Sequence, residues 1–337
     1  MKQAQAGLGH WGLVLCLLLL PGMPAIGQGG TGSANPAGPV GQKPSATPDP
    51  RSGQKQGPTF RVNVRLVNVF TTVTDAHGAP IANLTKDDFR VLEDGVLQTI
   101  SVFDRESELP LTIALAVDTS ESTRRDLELE IASAKKFVHE VVRPVDRLAV
   151  FQITENVDRV TGFTSDLRWI DRGIDNLRVG AGTSLYDAIY LAADELFDHE
   201  GRKVLVLITD GGDTTSRAGY ASALRRAQQA EAMVYSIIVV PIASDAGRNT
   251  GGEHALIQLS KDTGGKYYYA ENLSQLDEAF RQISQELRTQ YLIAYYPNRQ
   301  VADAPFRRIQ VQVTKKDSEG TALQVRHRDG YYTVTGK

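Results

Sequence analysis

Cysteine is almost absent from this sequence: of 337 residues only Cys16 is one, and it sits inside a short apolar run. A lipid-anchored chain would carry a small residue just before such a cysteine. Leu15 stands there, and more apolar residues follow, so lipidation is not expected. Once an N-terminal segment containing Cys16 is removed, no thiol is left for a disulfide or a thiolate metal centre. The fold must then hold by packing, with whatever help ligand binding gives. Charge of one sign is also lacking. Thirty-seven basic residues face 40 acidic ones, for a formal net charge of -3. No basic stripe with interleaved aromatics is present, so no nucleic-acid partner is expected. Past the first thirty residues no run is long and apolar enough to span a membrane.

Familiar catalytic signatures are missing as well. The six histidines are scattered, and none pairs at metal-ligand spacing or in a nucleophile–base arrangement. There is no Gly-x-Ser-x-Gly elbow and no phosphate-cradling loop with a lysine. The Gly-rich stretch over residues 29–38 has neither a strand before it nor a helix after it. What the chain does have is a hydrophobic content of 41%, enough for a sizeable core, and a length that suits about two domains.

The N-terminus reads as a secretory signal over residues 1–27. Lys2 supplies the basic region, Trp11 to Leu20 the apolar one, and Ala25-Ile26-Gly27 the small residues of a cleavage site before Gln28. Pro21 and Pro24 argue against the alternative of a buried helix. The expected location is therefore secreted, periplasmic or at the cell envelope. Residues 28–58, rich in Gly, Pro, Ser, Gln and Ala, read as a disordered linker.

From residue 59 to 108 the pattern becomes β. Val62, Val64, Leu66, Val69 and Val73 suggest one or two strands. Phe89 to Glu93 and Gln98 to Phe103 suggest two more, around an Asp94-Gly95 turn. Leu111 to Val117 is a nearly continuous apolar run, as in a strand buried on both faces of a parallel sheet. Over residues 109–289 strands and helices then alternate. Helices are expected over 124–142, 167–177, 185–197, 221–232, 254–263 and 273–288. Strands are expected over 147–153, 203–208, 234–240 and 267–270. This is an α/β fold, a doubly wound, mostly parallel sheet covered on both faces. Residues 290–337 return to β alternation, with strands over 291–296, 306–313 and 323–334. Neither flank has enough strands to bury a face alone. They either pair into one β-sandwich, the favoured arrangement, or sit as two appendages on the central sheet.

Ligands of open α/β sheets bind at the carboxyl ends of strands. Two apolar strands here end in chemistry. The first runs into Asp118-Thr119-Ser120-Glu121-Ser122, a carboxylate and two hydroxyls on one turning loop. The second ends in Thr209-Asp210-Gly211-Gly212-Asp213. Between them, Gly180-Ala181-Gly182-Thr183-Ser184 offers a further hydroxyl before a helix. Asp118, Ser120, Ser122, Thr183 and Asp210 make an all-oxygen set, which suits Mg2+, or Mn2+ or Ca2+, over zinc or copper. Each alone could be a helix cap or turn residue. Asp187 either braces the site loops or is a surface helix acid. Asp213 and Ser216 read as turn and cap residues, and Tyr267-Tyr268-Tyr269 as packing and edge protection.

This combination resembles the metal-ion-dependent adhesion site of von Willebrand factor type A domains, the fold shared with integrin I domains, over roughly residues 109–289. The resemblance implies that Ser120 and Ser122 bind the metal directly. It implies that Thr183 and Asp210 bind directly or through water, and that Asp118 acts mainly through water. It further implies a protein partner whose Glu or Asp completes the metal sphere, and a helix around Leu273 to Arg288 that moves on binding. Glu121 departs from the family loop, where glycine is common. It either points to solvent in the first helical turn or shields the metal. The flanks, with Asp88-Phe89-Arg90-Val91-Leu92-Glu93-Asp94-Gly95 and Arg328-Asp329-Gly330-Tyr331-Tyr332, resemble exported bacterial proteins related to von Willebrand factor A, notably of Acidobacteria. The expected function is protein binding without a reaction. Metal-assisted phosphoryl transfer or hydrolysis is the rival, though no second Asp stands two residues after Asp118. A scaffold with a vestigial site is the other.

Overall fold

A computed structural model describes residues 66–105, 109–121, 127–240, 249–298, 305–317 and 319–333, all within one unit, Arg61–Lys337. The expected signal segment and linker lie outside the described residues.

Among the described residues four strands come first: β1 (Val67–Thr74), β2 (Phe89–Glu93), β3 (Val96–Gln98) and β4 (Ile100–Arg105). Then β5 (Leu111–Asp118), α1 (Leu127–Val141), β6 (Arg147–Ile153), β7 (Val157–Thr164), α2 (Leu167–Asp175), α3 (Leu185–Phe197) and β8 (Arg202–Thr209) follow. The α/β run closes with α4 (Tyr220–Gln229), β9 (Ala232–Val239), α5 (Thr250–Thr263), β10 (Tyr267–Ala270) and α6 (Leu273–Arg288). Last come β11 (Tyr291–Tyr295), β12 (Phe306–Val313), β13 (Gln324–Arg326) and β14 (Gly330–Tyr332).

Among the described residues the central sheet has the order β10-β9-β8-β5-β6-β7, with β7 antiparallel to β6 and the other pairs parallel. Every residue of β5 is buried, which is why it reads as a nearly continuous apolar run up to Asp118. Its two faces differ in size. Ile113, Leu115 and Val117 pack with Phe137 and Val138 of α1, Ile170 of α2 and Phe280 of α6. Ala114 and Ala116 lie under Ala188, Ala192 and Ala193 of α3, so small side chains let that helix approach closely.

β7 was not expected from the sequence. The tight turn Thr154-Glu155-Asn156 folds it back on β6 as a hairpin, with Thr154 N–H donating to Asn156 O at 2.8 Å. Its pairing slips at two places along β6, and its exposed Asp158 and Arg159 suit an unpaired edge. Such a half-exposed, irregular strand lacks the alternation that marks regular ones.

The flanking strands interleave. One sheet has the order β13-β1-β11-β4, the other β14-β12-β2-β3, so each draws on both ends of the chain. Val69 and Ile293 of the first pack with Val91 and Val311 of the second in one core. The expectation of one strand over 323–334 needs correction. β13 pairs with β1 and β14 with β12, in different sheets. The break between them is fixed by hydrogen bonds. Buried Arg328 donates to Asn68 O, Asp329 N–H to Asp262 O and Ile309 N–H to Asp329 O.

The two sheets are also joined by a buried carboxylate. Glu93 of β2 accepts Tyr295 OH from β11 at 2.8 Å and Tyr331 OH from β14 at 2.9 Å. Tyr295→Phe removes the donor that crosses between the sheets. Urea unfolding should show a loss of about 1–2 kcal/mol, with cation binding unchanged.

Candidate functional site

Asp118 is the last residue of β5 and is wholly buried. Its Oδ1 accepts the Ser120 N–H at 3.0 Å, and its Oδ2 accepts the Thr209 hydroxyl at 2.7 Å. Burial pushes its carboxyl up to about 6, against the pull of the Thr209 and Ser120 hydrogen bonds, and the charge of Asp210 adds to the rise. The neighbouring Thr119 pins the loop. Its N–H donates to Ile153 O at 3.0 Å and its hydroxyl to Arg178 O at 2.8 Å. Ser120, almost fully buried, makes a parallel bridge to Gly180. Glu121 is exposed. Ser122 lies outside the described residues.

Thr183 is buried on the neighbouring loop. Its N–H donates to Thr214 Oγ1 at 2.9 Å, and its carbonyl accepts the Thr214 and Thr215 amides at 2.8 and 3.2 Å. On the opposite side Glu155 Oε2 accepts the amides of Ala181 and Gly182 at 2.9 and 3.4 Å. Its own backbone amide first, and then these two bonds, hold the Glu155 carboxyl below the usual range. Ser184 links both walls. Its hydroxyl donates to Glu155 O at 2.9 Å and lies 2.8 Å from the Thr215 hydroxyl.

Asp210 is half-buried just past the end of β8, and its Oδ1 accepts Gly212 N–H at 2.8 Å. Gly211 has φ +84°, a conformation that glycine adopts without strain. Its carbonyl accepts Asn249 Nδ2 at 3.2 Å, and its N–H donates to Thr209 Oγ1 at 3.1 Å. Asp187 of α3 accepts the amides of Arg217 and Ala218 at 3.0 and 2.7 Å, so it braces the loop after β8. Asp213 Oδ1 accepts the Ser216 hydroxyl at 2.5 Å, and both serve that turn.

Four of the five expected residues thus lie on three hydrogen-bonded loops at the carboxyl edge of β5 and β8. The donor set is carboxylate and hydroxyl oxygen. Among the described residues no three His, Cys, Asp or Glu side chains gather as a metal cluster. A cation here would therefore take hydroxyl ligands beside Asp118 and Asp210. A buried carboxylate raised by a second carboxylate is a place where positive charge is favourable, so the residues fit a hard cation.

Sequence reasoning missed Glu155, Thr209, Thr214 and Thr215. Thr209 sits beside Asp210 in the strand-end motif and was within reach. Glu155 belongs to the hairpin that the sequence did not disclose.

Residues 113–212 match the family model for the von Willebrand factor type A domain. No curated protein matches the chain in sequence. Among solved structures, it is similar to the conserved hypothetical protein BatB from Bacteroides thetaiotaomicron. The identity is 19% and the TM-score 0.43, over 53% of this chain and 100% of that one. It is similar to the von Willebrand factor domain of the type V pili tip protein Mfa5 from Porphyromonas gingivalis. There the identity is 13% and the TM-score 0.44, over 52% of this chain and 94% of that one. It is also similar to the pilus adhesin SpaC from Lactobacillus rhamnosus GG in its open conformation. The values there are 9% and 0.45, over 76% of this chain and 49% of that one.

Proposed function

We propose that this is an exported protein-binding module. It takes a hard divalent cation, Mg2+ or else Mn2+ or Ca2+, and through it captures a Glu or Asp side chain of a partner protein. Ser120 and Thr183 would hold the cation, with Ser122 as the sequence implies, while Asp118 and Asp210 supply negative charge. The bound cation supplies an electropositive point for a partner carboxylate. Hydroxyl ligands carry no charge of their own, so that attraction is only partly offset.

The observation that carries this reading is Asp118. Its carboxylate is buried at a sheet edge, held by Ser120 and Thr209, and pushed up by its burial and by Asp210. The match of residues 113–212 to the von Willebrand factor type A domain supports the fold around it. Export rests on the reading of residues 1–27. No helix among the described residues is long and apolar enough to cross a membrane. The site is read as one of binding and not of reaction.

Calorimetric titration of the mature chain with Mg2+ and Mn2+ tests the reading. Binding is expected, and Ser120→Ala should weaken it by about tenfold or more. Absence of binding to both ions sinks the proposal. The partner step is tested on cell-envelope extract. Capture that persists undiminished in chelator would show that the cation has no part in it.

A further inference from the structure

The turn between β6 and β7 touches the Thr183 loop at both of its ends. At one end, Ser184 N–H donates to Thr154 O at 2.7 Å and its hydroxyl to Glu155 O. At the other, Gly180 lies so close that a Cβ there would meet Thr154 Cβ at 2.5 Å and Glu155 Oε2 at 2.9 Å. Between these ends a single carboxylate oxygen of Glu155 receives two successive amides, those of Ala181 and Gly182. On the opposite wall Thr214 and Thr215 hold Thr183 through backbone and hydroxyl contacts. Gly180, in turn, is the bridge partner of Ser120. The position of Thr183 relative to Ser120 is therefore set by a loop clamped between two walls, one of them built around Glu155.

We infer that Glu155 is a positioning residue for this site, holding the Ala181 and Gly182 amides so that the Thr183 hydroxyl faces the same point as Ser120. The inference rests on the cation-binding reading above. Glu155 is exposed, so its substitution removes no buried side chain. Its role is one of reach. An oxygen at the end of a two-carbon stem meets both amides.

Three substitutions in the full chain separate reach from charge. Glu155→Gln keeps an acceptor at the same distance and loses the charge. Glu155→Asp keeps the charge and loses the reach. Glu155→Ala loses both. Mn2+ affinity is read by calorimetry and by the electron paramagnetic resonance of bound Mn2+. Exchange of the Ala181 and Gly182 amides is followed in metal-free protein. Expected are a weakening of about tenfold or more in Glu155→Ala and Glu155→Asp, and a change within about threefold in Glu155→Gln. The two amides should exchange faster in the first pair. The inference is overturned if Glu155→Ala binds Mn2+ as tightly as the parent, or if its two amides exchange no faster. It is also overturned if Glu155→Gln loses as much as Glu155→Ala, which would make charge the cause. A parent protein that binds no Mn2+ overturns the cation reading itself, an outcome distinct from these.

Discussion

Asp118→Asn should separate the stability of the protein from divalent cation. In the parent, a ligand that binds only the folded state adds RT ln(1 + [L]/Kd), about 2.7 kcal/mol at a cation concentration a hundred times Kd. The variant should gain almost none of this. Without cation the order can reverse. Asp118 is wholly buried and lies in the field of Asp210, so its charge is costly in the empty site. Asparagine has nearly the same shape and removes that charge. Its oxygen can still accept the Ser120 N–H, and its amide can donate to the Thr209 hydroxyl. Chelator-treated Asp118→Asn is therefore expected to be as stable as the parent or more so, within about 1 kcal/mol. Thermal melts with chelator and with Mg2+ give the four values needed. Equal gains from Mg2+ in both proteins would show that Asp118 does not serve a cation.

Gly252→Ala should be the more damaging of two neighbouring changes in α5. A Cβ at Gly252 would stand 1.8 Å from the carbonyl oxygen of Gly211 and 2.7 Å from its carbonyl carbon. Both are backbone atoms, so no side chain can swing away. Either the helix start or the Asp210–Gly212 loop has to move. Overpacking of this kind costs about 3 kcal/mol, and the loop that moves carries Asp210. Urea unfolding should show that loss, and cation affinity should fall with it. Gly251→Ala is the control. Its nearest neighbour is Asn249 Oδ1 at 3.8 Å, an ordinary contact. Alanine is also the better helix former there, by up to about 1 kcal/mol. A Gly251→Ala protein that lost as much as Gly252→Ala would locate the damage in the helix, not in its contact with the loop.

The parts that were legible in the sequence are those where one physical demand dominates. β5 and β8 are buried on both faces, so their apolar runs announce them. Because such strands end where ligands bind, Asp118, Ser120 and Asp210 stood out at once. Thr183 was marked by the glycines around it, which are needed for the close approach of Thr154 and Thr215. What was not legible depends on partners distant in sequence. Glu155 has meaning only once β7 folds back and brings the Ala181 and Gly182 amides to it. The tail likewise reads as one strand by alternation. Only the bonds from Arg328 to Asn68 and from Asp329 to Asp262 show why it breaks. Glu121, open to two readings from sequence, is exposed.

The interleaved sheets also impose an order on the birth of the molecule. β4 is paired with β11, and Arg105 stands opposite Tyr291 across the whole α/β segment. β2 likewise has β12 as its neighbour. During synthesis the first four strands emerge with most of their partners still unmade. The α/β segment, whose strands mostly pair with near neighbours in the chain, can close before them. The early strands then wait as exposed edges until the last few dozen residues arrive. A chain cut short after α6 would hold every strand of the central sheet and an unfinished sandwich, with those early edges open.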